Sequence, residues 1–173
     1  MIETFLQKVD HGGRAMLPSV TAFVCTLLGT VVWPLPYLGS VVPPLALMAI
    51  YYWAMHRPDL FRPSMAFVIG LLNDVINQMP LGLSALLFVG VHQLVFQQRR
   101  YFVGHSFFMM WFGFFLTVFV VTLTEWGLLC IVKSHMIPVM PAIMQILLAS
   151  ALFPLPCWLF ILIQRHALNS DGE

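Results

Sequence analysis

Two carboxylates are the residues of this chain best placed to do chemistry, because Asp74 and Glu125 both fall inside long apolar runs. A charged side chain in hydrocarbon is expensive, so each must face protein, water or a ligand rather than lipid. Asp74 belongs to residues 70–87, GLLNDVINQMPLGLSALL, where an apolar run is interrupted by Asn73, Asp74, Asn77 and Gln78 and broken at Pro80 and Gly82. Acids in such a setting serve proton or cation movement, and His92 has the ionisation range of a relay. The structural alternative places each acid near the outer end of its helix, with Asp74 solvated or hydrogen-bonded to Asn73, Asn77 or a helix terminus. No Lys or Arg falls inside a span to act as counter-ion, which favours the structural alternative for both acids.

No other constellation suggests an enzyme. There is no Gly-rich phosphate loop, no paired zinc spacing and no serine beside a plausible base, so no catalytic residue, cofactor or metal is expected. Ser84 and Ser106 are better explained by helix packing or capping. His11, His56, His105, His135 and His166 lie near expected interfaces without ligand spacing, and Cys25, Cys130 and Cys157 sit in apolar runs, where a thiol is a small hydrophobe. Neither a metal site nor a disulfide framework follows.

The elements that position the acids are greasy helices. Of 173 residues, 60% are hydrophobic and 9% charged, and the mean hydropathy is +0.90, which places the chain among integral membrane proteins rather than soluble domains. Eight scattered Lys and Arg and a net charge of +1 give no nucleic-acid surface. Apolar segments recur without a polar block between them, so residues 1–173 read as a single transmembrane domain. The fold class expected is all-α, a polytopic bundle of about six helices long enough to meet a ~30 Å hydrocarbon core.

The expected spans are about 16–33, 40–55, 64–77, 81–97, 106–132 and 139–163. Residues 1–14 carry Ile2, Phe5, Leu6 and Val9 at helical spacing and form either a short interfacial helix or a tail, and no cleavage site follows them, so the first span is expected to stay as an anchor. Residues 33–39, WPLPYLG, have the composition of an interfacial turn, and Pro43 and Pro44 suit the first turn of the second helix. The third span is short and polar at its end, so the third and fourth are two crossings or a re-entrant pair. Pro154 and Pro156 should kink the last helix, with neighbouring helices satisfying the freed carbonyls. Under six crossings Lys8, Arg14, Arg57, Arg62, Arg99, Arg100 and Arg165 share one side against Lys133 on the other, which favours six crossings and places both termini in the cytoplasm.

Among the loop residues, Asp59 after Arg57 and Pro58 either braces the turn or offers a partner contact, and Arg99 with Arg100 reads as a topology determinant and an anchor for anionic lipid headgroups. The stripe FFMMWFGFF at 107–115 is lipid-facing bulk that leaves room for another protein's transmembrane helix.

Residues 50–60, IYYWAMHRPDL, then 67–74, FVIGLLND, 80–86, PLGLSAL, and 98–102, QRRYF, closely resemble in order and spacing the MreD family of rod shape-determining proteins, in its alphaproteobacterial form. One departure is Gln78, where the family often has a glycine before the turn. The resemblance implies a multi-pass protein of the bacterial inner membrane and of the cell-elongation machinery. It further implies MreC as partner, through it MreB, RodA and a class B penicillin-binding transpeptidase, and a fold similar to the six-helix substrate-binding subunits of energy-coupling-factor transporters. The residues it carries over are a structural core, Arg57, Pro58, Asp59, Gly70, Asp74, Pro80 and Gly82, and not catalytic groups. The expected function is a non-enzymatic membrane scaffold supporting lateral peptidoglycan synthesis and cell shape; the alternative is a small-molecule-binding membrane subunit of a transporter, holding its ligand near Asp74.

Overall fold

The computed structural model describes residues 16–29, 42–102, 107–133 and 138–168, with side chains through 99 in the second stretch and through 164 in the last. The head at 1–14, the interfacial turn at 33–39 and the tail from 169 lie outside them. The described residues are helical without strands: α1 Met16–Leu28, α2 Leu45–His56, α3 Pro63–Ile76, α4 Leu83–Phe102, α5 Phe107–Lys133, α6 Met140–Leu152 and α7 Pro154–Leu168. Among the described residues α5 alone is sufficient by length and composition to cross a membrane, and the bent pair α6–α7 is a second candidate if counted as one span. The architecture is an all-α bundle of the membrane type.

The centre of the bundle is α2. Its residues 46–55 are buried without a break, although it has only 12 residues. A helix that is apolar all round suits either a protein core or lipid, and here its neighbours enclose it. Its two tyrosines find acceptors on other helices: Tyr51 Oη donates to the Met110 carbonyl at 3.1 Å and Tyr52 Oη to Gln164 Oε1 at 2.9 Å. Buried phenols need such partners, and these tie α2 to the start of α5 and to α7. Phe114 and Phe153 stack at 4.1 Å, with Tyr51 edge-on to both.

Helices α6 and α7 meet at Phe153 with a bend of 42°. Pro154 has no N–H, so the carbonyl of Ser150, four residues earlier, loses its helical partner. Trp111 of α5 supplies the missing donor, its indole Nε1 lying 2.9 Å from that oxygen. Ser150 Oγ also donates back to the Ile146 carbonyl at 2.7 Å, a contact that favours bending. The kink is thus stabilised from a neighbouring helix, as membrane packing requires.

Candidate functional site, the α3–α4 corner

The most extensive helix pair is α3 against α4, an antiparallel hairpin. Gly70 sets its closeness. A Cβ added there would press on the Ala85 Cα and stand 2.6 Å from the Ala85 nitrogen and 2.9 Å from the Ser84 carbonyl carbon, all backbone atoms that cannot yield. Only a residue without a side chain lets the two backbones approach in this way, a familiar device of membrane helix packing.

One turn after Gly70, Asp74 lies on the same face and is wholly buried. Its Oδ2 accepts the N–H of Gly82 at 2.8 Å and its Oδ1 that of Ser84 at 2.9 Å. These N–H groups open α4 and have no partner within that helix. The carboxylate therefore caps α4 from a different helix, and the positive end of the α4 dipole balances its charge. This is why an acid persists in an apolar run with no basic residue beside it.

The main chain of Asp74 closes α3. Met79 N–H donates to the Asp74 carbonyl at 2.9 Å and Gln78 N–H to the Val75 carbonyl at 3.4 Å, the paired bonds of a Schellman ending. That motif puts its C′ residue in the left-handed region, and Gln78 has φ +53°. A side chain there costs roughly 1–2 kcal/mol. Gln78→Gly is therefore expected to stabilise the protein by about 1 kcal/mol, read as a raised midpoint of thermal unfolding in detergent; an unchanged or lowered midpoint would contradict the strain. Gly82, at φ +97°, needs glycine for its backbone and not for space, since a Cβ there meets nothing within 4 Å. Pro80 contributes the carbonyl that accepts Leu83 N–H at 3.2 Å.

Amide side chains finish the corner. Asn73 Nδ2 donates to Ser84 Oγ at 3.1 Å, and Asn77 Nδ2 donates to the Asn73 carbonyl at 2.9 Å and to Asn73 Oδ1 at 3.0 Å. Gly70, Asp74, Pro80 and Gly82 thus come together, and Asn73, Asn77 and Ser84 join them.

Arg57, Pro58 and Asp59 form a separate group at the opposite end of α3. The turn is closed by the Arg57 carbonyl, which accepts from Leu60 at 3.2 Å and Phe61 at 3.1 Å. Asp59 is exposed and makes no hydrogen bond or ion pair among the described residues, so the brace is main chain and not its carboxylate. His92 ties α4 to this turn through Nε2, 2.8 Å from the Phe61 carbonyl. It bonds neither Asp74 nor Glu125, and both Asp74 oxygens are already engaged, so the geometry provides no proton relay between them. Arg99 lies over the Phe96 ring at 4.9 Å, and the Arg100 side chain is outside the described residues.

Sequence reading missed the Ala85 backbone as the surface Gly70 meets, and it placed a ligand near Asp74 only in its alternative, without the walls of the cavity that lies beside the corner. This cavity of about 630 Å³ is walled by Thr26 of α1, Leu45 of α2, Phe88 of α4, Glu125 of α5 and Gln145 of α6, among others. Its signals in the sequence were Glu125, with no base beside it, and the polar residues Asn73 and Asn77 around Asp74.

No curated protein and no solved structure matches the chain. The family described as rod shape-determining protein MreD matches residues 12–166, a stretch that contains both the capped α3–α4 corner and the Arg57 turn. With nearly the whole chain aligned to it, the chain belongs to the MreD family of rod shape-determining membrane proteins.

Proposed function

We propose that the chain is a non-enzymatic, multi-pass scaffold of the cell-elongation complex in the bacterial inner membrane, with both termini in the cytoplasm. In this reading it binds the membrane and juxtamembrane helix of MreC and, through MreC, supports lateral peptidoglycan synthesis alongside MreB, RodA and a class B penicillin-binding transpeptidase. The observation that carries the proposal is the family match over residues 12–166, whose stated role is rod shape determination.

Three features support the finer parts. The residues of the α3–α4 corner are spent on capping and close packing, which is what a rigid support needs and leaves them no catalytic task. Arg57 and Arg62 sit at the start of α3 and Arg99 at the far end of its antiparallel partner, so these charges share one end of the hairpin, as a cytoplasmic face requires. On the outside of α5, Phe108, Phe112, Leu116 and Phe119 are exposed at helical spacing and offer a lateral face to a partner helix.

The test is affinity purification of the tagged full chain from native membranes in mild detergent, with identification of the co-purifying proteins. MreC with the elongation synthases is the expected result. Recovery of an ATPase module in their place would overturn the scaffold and favour the transporter subunit.

A further inference from the structure

Asp74 and Glu125 are treated very differently by the fold. The first has two backbone N–H donors, while the second has no hydrogen bond or ion pair among the described residues. Glu125 instead lines the cavity of about 630 Å³, a volume within the range of small-molecule sites. No Lys, Arg or His is among the described residues of its wall.

The other polar groups there can each accept a hydrogen bond. Asn77 has its Nδ2 committed to Asn73, so its free polar atom is the carbonyl oxygen. Thr122 and Gln145 make no hydrogen bond to another described residue and complete the polar side, opposite an apolar side that includes Leu87 and Phe88. An anion would meet a carboxylate and no compensating base, so the wall disfavours phosphate and carboxylate ligands. A carboxylate with no partner inside a bundle is costly, and a ligand that brings both positive charge and N–H donors removes that cost.

We propose that this cavity binds a primary ammonium group, with Glu125 as counter-ion and Asn77 Oδ1 and Gln145 as further hydrogen-bonding partners. The apolar side accommodates the hydrocarbon attached to the amine. An ammonium of this kind comes either from the ethanolamine headgroup of a phospholipid or from a free amine, and the chemistry at Glu125 is the same for both.

The experiment uses the full chain in nanodiscs of phosphatidylglycerol alone, and of equal parts phosphatidylglycerol and phosphatidylethanolamine. Lipid retained after release is read by native mass spectrometry. Free ethanolamine and glucosamine are titrated into the phosphatidylglycerol discs by calorimetry. Selective retention of phosphatidylethanolamine identifies a lipid source, and binding of either free amine a soluble one. In both cases Glu125→Gln, nearly isosteric, is expected to weaken binding at least about tenfold. Preference for phosphatidylglycerol, absence of binding by every amine probe, or equal binding by Glu125→Gln would overturn the proposal. Should that variant fail to fold, Gln145→Leu on α6 is expected to lose several-fold in affinity, and wild-type affinity in it would equally overturn the assignment.

Discussion

Gly70→Ala is expected to lower the stability of the folded bundle by about 3 kcal/mol, at the upper end of overpacking costs. The new methyl group would collide with the Ala85 Cα and nitrogen and with Ser84, and all three obstacles belong to the main chain of α4. Alanine is the better helix former by roughly 1 kcal/mol, so an exposed glycine in this position would gain from the change. Here the collision wins, because relief requires two whole helices to separate. Separation also draws Asp74 away from the N–H groups of Gly82 and Ser84, so packing and capping are lost together. Thermal unfolding in detergent, followed by size-exclusion chromatography of the heated sample, reads the effect. A midpoint equal to that of the wild type would show that α3 and α4 do not need this approach.

Asp74→Ala should cost a similar amount by a different route. Loss of a side-chain cap costs roughly 0.5–2 kcal/mol in water-soluble proteins. Of the two N–H groups left without an acceptor, that of Ser84 is buried and that of Gly82 half-buried, and a buried donor without an acceptor costs about 1–3 kcal/mol. A loss of about 3 kcal/mol follows, seen as reduced abundance of the chain in membranes together with reduced shape-determining activity. Asp74→Asn keeps one acceptor oxygen and should fall between alanine and the wild type in both measurements. A proton or cation carrier would behave otherwise: the asparagine variant would accumulate normally and be inactive. Normal abundance combined with lost partner recovery would move Asp74 from the support of the corner to an interface.

These two residues also show where a linear reading stops. The patterning of apolar residues is local, and it was sufficient to assign an all-α membrane bundle and to mark Asp74 as an acid that must face protein or water rather than lipid. The bend of the last span was legible for the same reason. A proline removes its own N–H wherever it stands, so a break near Pro154 follows from composition alone.

What the freed groups meet is decided in three dimensions. The donor for the Ser150 carbonyl is Trp111, 39 residues away, and the acceptor for Tyr51 is the Met110 carbonyl, 59 residues away. Nothing in the spacing of these residues encodes the pairing, because it arises from the packing of whole helices around α2. The choice of a helix N-terminus as the partner of Asp74 depends likewise on how close α3 lies to α4, and that distance is set by the missing side chain of Gly70 against Ala85. The two acids were equivalent on the line of the sequence. Tertiary structure separated them by bringing free backbone donors to Asp74 and leaving Glu125 on the wall of a cavity, since a helix has unpaired backbone N–H donors only at its start and α4 begins against Asp74 and not against Glu125.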